Sequence, residues 1–299
     1  MQNNYFLQQI VNGLCLGSVY ALVAIGYSIV YGILRLINFA HGDIMMIGVY
    51  VAFFLMSLGS VPIWVSLLLA MAFSALVGVL VEHVAYRPLR SSSEESTMMT
   101  SLAVSILIEN LAVMTLTAQP RPFKLPDFMN YVHKAGPVSF TNMNLTILFI
   151  TAFFLILLLF FVKRTNLGTA MRACADNLSA ARLMGINVNV VISASFIIGS
   201  VLAAVAGFML AGQYGTIDPL MGFVPGLKAF IAAVIGGIGS LAGAALGGYV
   251  LGLAEVLIVG LLPAEFSPYR DAFVFLLLIL VLLVKPNGLL GAGNKEESK

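Results

Sequence analysis

The chain has 299 residues, of which 60 % are hydrophobic and 9 % charged, with a formal net charge of +2. Soluble domains carry roughly 25 % charged residues; here there are too few to cover a water-facing surface, which excludes a soluble enzyme and a disordered chain. The near-neutral balance supplies no basic stripe for phosphates, which excludes a nucleic-acid partner.

Met1–Leu34, Ile44–Val81, Ala135–Val162, Leu183–Ile217 and Ala229–Ala254 contain no Asp, Glu, Lys or Arg. Roughly 20 apolar residues cross a hydrocarbon core, so these runs make membrane lipid the surrounding medium. The first run has no basic segment ahead of it and reads as a retained span rather than a cleavable signal. Spans are expected at 7–31, 40–58, 62–82, 97–117, 145–163, 189–213, 229–244, 246–262 and 270–285. The expected fold is an all-α polytopic membrane protein with about 8–9 transmembrane helices, some short or broken, in one domain over 1–299.

Between the first two spans, Asn38-Phe39-Ala40-His41-Gly42-Asp43 interrupts the apolar character. A glycine between an imidazole and a carboxylate fits a half-helix end facing a translocation path. It also fits a cytoplasmic turn with Asp43 as an N-cap or early-turn acid. One His and one Asp do not make a metal site, and no cofactor is expected in this chain. Glu109, followed by Asn110, falls inside the span 97–117 with no other charge between Glu95 and Arg121. A carboxylate at that depth belongs to a bundle interior or a wet cavity, and Glu255 is a weaker case of the same kind.

The connection 118–144 holds Pro120, Pro122, Pro126 and Pro137 with four aromatics. It resists regular helix and reads either as a connector or as an external docking surface. The segment 163–188 is too polar to span. Met171, Cys174, Leu178 and Ala181 recur at helical spacing, Arg172 and Asp176 share another face, and Gly185 supplies a stop. A short amphipathic helix is expected, lying on lipid or inserted into a cleft of a cytoplasmic partner. Cys15 and Cys174 have no spacing for zinc or redox chemistry and read as packing residues.

Glycines crowd two apolar stretches, Gly13–Gly42 and Gly236–Gly252. Small residues allow close helix approach or breaks beside a cavity, and interrupted segments in two parts of a chain fit a transporter-type repeat. No GxxxxGK[ST] pattern is present, so ATP is not expected to bind a P-loop of this chain. Basic residues set the orientation. With 163–188 inside, ten basic residues fall inside and five (Arg121, Lys124, Lys134, Lys228, Arg270) outside. This places 118–144 and the N-terminus outside and requires two spans, or a broken returning helix, over 229–262.

The segments YALVAIGYSIVYGILRLINFAHGDIMMIGVY (20–50), EHVAYRPLR (82–90), GTAMRACADNLSAARLMGIN (168–187) and GLKAFIAAVIGGIGSLAGAALGGYVLGLAE (226–255) resemble the permeases of branched-chain amino-acid ABC importers. The likeness is to the LivH-like subunit rather than to its longer LivM-like partner, and urea and amide importers use similar permeases. The resemblance implies one transmembrane half of an importer in a bacterial inner membrane. It implies a second, LivM-like permease, two cytoplasmic ATPase subunits that use the ATP, and a periplasmic solute-binding protein. It further implies that 168–187 is the cytoplasmic segment contacting the ATPase. The residues alone also admit a stand-alone proton-coupled carrier with Glu109 as its titrating site.

Overall fold

The computed structural model describes residues 2–90 and 92–291. The elements are helical apart from four short strands. In chain order the helices are α1 (Gln2–Leu34), α2 (His41–Ser57), α3 (Ile63–Val81), α4 (Glu94–Leu116), α5 (Asn142–Arg164), α6 (Asn166–Asp176), α7 (Leu178–Leu183), α8 (Val188–Tyr214), α9 (Phe223–Gly236), α10 (Leu241–Leu261) and α11 (Arg270–Val284). Among the described residues, six are long and apolar enough to cross a membrane: α1, α3 with its π-helical extension Glu82–Tyr86, α4, α5, α8 and α10. Shorter α2, α9 and α11 complete an all-α polytopic bundle.

Alternation of the long helices gives the bundle two ends. Arg35, Arg87, Arg90, Lys163, Arg164, α6–α7 and Lys285 gather at one, called here the basic end; Lys295 and Lys299 lie outside the described residues. The segment between α4 and α5 occupies the other. Its prolines exclude a helix of any length, and it folds as β1 (Arg121–Pro122), a single 3-10 turn and the hairpin of β2 (Val132–Ala135) and β3 (Val138–Thr141). β1 pairs antiparallel with β4 (Thr216–Ile217), just after α8. Gln8 of α1 clamps β3: its amide donates to the Ser139 carbonyl and accepts from the Ser139 N–H, both at 2.8 Å. This end is called the hairpin end.

The core lies where α1, α2, α8, α9 and α10 meet. Glycine makes that contact possible. Gly13, Gly17 and Ala21 of α1 run antiparallel against Leu253, Tyr249 and Gly248 of α10, so the two glycine-rich stretches of the sequence face each other. In lipid no hydrophobic driving force favours helix association, so close backbone packing of this sort carries it. α3, α4 and α5 turn large apolar side chains outward; Leu76, Met114 and Phe149 are examples.

α2 does not begin at the basic end. After Leu34 the chain reverses at Arg35, whose φ is 56°, and residues 36–40 climb back into the bundle. His41 then packs against Gly26 of α1 and Gly199 of α8. Those glycines stand about 12 and about 16 Å along their helices from the basic end, at about 1.5 Å per residue. α2 therefore starts near the middle of a core about 30 Å thick and rises to the hairpin end. α9 is its counterpart. From Ile217 the chain descends to Gly222, and α9 starts beside Gly42 and ends at the basic end. There the Leu289 and Leu290 N–H groups donate to the Ile235 and Gly236 carbonyls. A Cβ at Gly226 would lie 2.9 Å from the Cα of Gly42, so only glycine lets the two half-helices meet.

This corrects the expected spans 229–244 and 246–262. The break falls at Gly237–Ser240, where Gly237 has a φ of 108°, and Lys228 is a helical residue rather than part of a loop. Periodicity could not place the break because glycine and alanine continue across it.

Candidate functional site

Side chains cap α4, α6, α7, α8 and α10: Ser93, Thr165, Asn177, Asn187 and Ser240 each accept a backbone N–H of the first turn. α2 and α9 begin without a side-chain cap. The first N–H groups of a helix have no intrahelical partner, and in these two helices they lie at mid-bundle depth.

Asn38, His41 and Asp43 converge at that point, each no more than 2 % exposed. The Tyr86 hydroxyl of the π-helical turn donates to Asn38 Oδ1 at 2.8 Å. The His41 ring meets Tyr27 edge-on, centroids 4.8 Å apart. Asn38 Nδ2, His41 Nε2 and both carboxylate oxygens of Asp43 have no hydrogen-bond partner among the described residues. Buried polar groups are nearly always paired, so four orphan atoms in one place mark a site that takes solute or water. Asp43 occupies the first turn of α2, but that turn lies at mid-bundle depth, so the geometry is that of a half-helix end and not of a turn at the cytoplasmic surface.

α4 supplies the adjoining wall. Ser101 accepts the Phe39 N–H at 3.4 Å, and the equally buried Ser105 stands next to Asp43. Glu109 follows one turn further on the same face, partly exposed, while Asn110 is exposed and donates to the Ile106 carbonyl at 2.7 Å. Asp43, Ser105 and Glu109 thus form a polar strip rising from the middle of the bundle.

Glu255 belongs to a different cluster. Its Oε1 lies 2.7 Å from Lys228 Nζ of α9, and its Oε2 accepts from the Tyr20 hydroxyl of α1 at 2.9 Å. Lys228 also approaches Asp271 of α11 at 2.8 Å. Sequence reasoning identified Glu255 but missed Tyr20, Lys228 and Asp271. The available signal was that a carboxylate in an apolar helix needs a partner, and Lys228 is the nearest cation upstream of its run.

At the basic end the single amphipathic helix expected over 168–185 is two, α6 and α7, separated by Asn177, whose side chain caps the second. Met171, Cys174 and Ala181 are buried by the chain's own helices. The stripe is therefore a seat on the bundle and is not free to enter a partner's cleft; Leu178 is half-buried. Arg172, Asp176 and Gly185 are exposed, as are the large apolar residues Leu183 at 88 % and Met184 at 82 %. Burial pushes the Cys174 thiol above its ordinary pKa. Among the described residues no group of three or more His, Cys, Asp or Glu could hold a metal ion.

A bundle with broken helices meeting around unpaired polar groups defines a membrane transport protein. The sequence matches the family described as branched-chain amino acid transport system / permease component over residues 9–282, and the chain belongs to that family. It is 44 % identical to the high-affinity branched-chain amino acid transport system permease protein LivH of Salmonella typhimurium, over 98 % of each chain. It is 43 % identical to the corresponding protein BraD of Pseudomonas aeruginosa, again over 98 % of each. A probable LivH of Methanocaldococcus jannaschii is 30 % identical over 92 % of this chain and 89 % of that one. A solved inward-facing structure of a putative metal-chelate type ABC transporter shares the fold. Its TM-score is 0.52 at 16 % identity, covering 93 % of this chain and 85 % of that chain. The protein is thus a multi-pass ABC importer permease, a class that works with ATPase and solute-binding partners. Family membership sets aside the stand-alone carrier.

Proposed function

We propose that the chain forms one transmembrane half of a bacterial inner-membrane importer for branched-chain or related amino acids. In this reading a LivM-like permease forms the other half, and two cytoplasmic ATPases hydrolyse the ATP. A periplasmic binding protein delivers solute to the hairpin end. The chain is itself no enzyme and carries no cofactor. It acts as a single domain, with 163–188 in the cytoplasm and 118–144 outside.

The observation that carries the path is the meeting of α2 and α9 at orphaned Asn38, His41 and Asp43. Half-helix N-termini offer backbone donors to a carboxylate, and an unpaired carboxylate offers an acceptor to an ammonium. Glu109 and Asn110 extend this polarity onto a face of α4 that this chain leaves poorly covered. Such groups do not face lipid, which supports a path shared with the second permease. Coupling to the ATPase rests on Leu183 and Met184, with Arg172, Asp176 and Gly185 beside them, because two large apolar side chains projecting into water fit a protein groove.

The test is uptake. A strain lacking the gene should lose high-affinity leucine, isoleucine and valine uptake, and the cloned gene should restore it. Loss of urea or amide uptake instead would assign the permease to that class of importer.

A further inference from the structure

A second polar cavity lies toward the hairpin end, apart from the α2–α9 junction. It has a volume of about 390 Å3 and opens between α1, α8, α10 and α11. Ligand pockets for small molecules run from roughly 300 to 1,000 Å3. Its polar lining includes Gln9, Asn12, Gln213, Tyr214, Glu255 and Arg270, and one side is apolar, formed by Leu16, Val256 and Val259.

Both signs of charge reach this cavity. Arg270 is half-exposed, and its Nε lies 3.8 Å from Glu255 and 3.5 Å from Asp271. Neither contact is a bidentate pair, so its fork of donors is available to a carboxylate. Glu255 is 2 % exposed and accepts one hydrogen bond at each oxygen, from Lys228 and from Tyr20. A carboxylate has about four acceptor sites, so acceptor capacity remains. Gln213 Oε1 is buried and has no partner among the described residues. A simple anion would leave that carbonyl unsatisfied, and a simple cation would meet Arg270. A molecule with a carboxylate and an ammonium on one carbon engages both, and an aliphatic side chain completes the apolar wall.

We infer that this cavity is a binding station for the zwitterionic head of an aliphatic α-amino acid, ahead of the α2–α9 junction on the inward route. The carboxylate pairs with Arg270, the ammonium with Gln213 Oε1 and Glu255, and the side chain lies on Leu16, Val256 and Val259. This rests on the amino-acid reading proposed above.

The test uses the complete importer in lipid nanodiscs, without binding protein or ATP, irradiated with the diazirine analogue of leucine and mapped by peptide mass spectrometry. Adducts are expected at Leu16, Val256 or Val259. Excess leucine should abolish them, whereas 4-methylpentanoate and 3-methylbutylamine, with one charge each, should not. Arg270→Gln and Gln213→Leu should each lower the yield several-fold in complexes that still assemble. Absence of adducts there, or equal competition by the single-charge analogues, overturns the station. If adducts fall elsewhere while vesicles still take up leucine, the station alone is wrong. If the importer moves no amino acid, both readings fall.

Discussion

The ammonium of Lys228 lies 2.7 Å from Oε1 of Glu255, and both residues are buried. The pair joins α9 to α10, and Tyr20 and Asp271 bring in α1 and α11. Removing one partner strands a charge, which costs about 3–5 kcal/mol, whereas apolar replacement of both can be nearly neutral. Lys228→Met should therefore lower the thermal unfolding temperature of the detergent-solubilised protein markedly, and Glu255→Leu should lower it less, because Asp271 still pairs with Lys228 at 2.8 Å. The double variant should recover much of the loss, because Asp271 keeps Arg270. Additive losses in the double variant would show that the two residues act independently.

Glu109 should behave as a polar contact rather than as a proton carrier. Glu109→Leu is expected to impair uptake, and Glu109→Gln to retain much of it, since an amide can still accept and donate hydrogen bonds. Activity lost equally in both would point to a titrating carboxylate; full activity in both would make the residue incidental.

For coupling, Leu183→Asp with Met184→Asp should leave the permease inserted while weakening co-purification of the ATPase and abolishing ATP-driven uptake. Ala181→Trp should act differently. Its side chain would overfill the chain's own seat for α7, a cost of about 1–3 kcal/mol, and stability should fall before ATPase binding is affected. A stable Ala181→Trp protein that fails only to bind ATPase would return the stripe to the partner interface.

Sidedness and thiol reactivity can be read together. Single cysteines at Lys134→Cys and Arg172→Cys should label from opposite faces with an impermeant reagent. Native Cys174, two residues from Arg172, should label far more slowly, because it is 1 % exposed and burial raises its pKa. Thiolate is the reactive form, and a raised pKa leaves less of it at neutral pH, so labelling of Cys174 should climb with pH into the alkaline range. Labelling of Cys174 as fast as Arg172→Cys at neutral pH would contradict its seat in the bundle.

Composition made the membrane bundle legible, because apolar runs without charges have no other solvent. Depth was not legible. Hydropathy registers that residues 40–58 are apolar but not that His41 sits halfway up, which depends on the reversal at Arg35 and on contacts with Gly26 and Gly199. Lys228 looked like a loop cation because it borders an apolar run, yet its long stem carries the ammonium to Glu255 inside the bundle. The helical period of Met171, Cys174 and Ala181 marked a buried face correctly, but a period cannot say whether the covering surface belongs to the same chain. His41 and Asp43 could be singled out from chemistry alone, whereas Ser105 and Tyr86 gain meaning only from the fold that brings them close.

The opposed half-helices also bear on ion leakage. Each helix N-terminus carries about half a positive elementary charge, so the starts of α2 and α9 together offset about one carboxylate charge, that of Asp43 when it is ionised. The centre of the bundle is then close to electroneutral without a basic side chain. A net-neutral zwitterion can cross such a point, while sodium, potassium or chloride finds no potential well there. Vesicles loaded with the resting importer should accordingly hold a potassium diffusion potential as long as protein-free vesicles do, and Asp43→Asn should not make them leaky to cations.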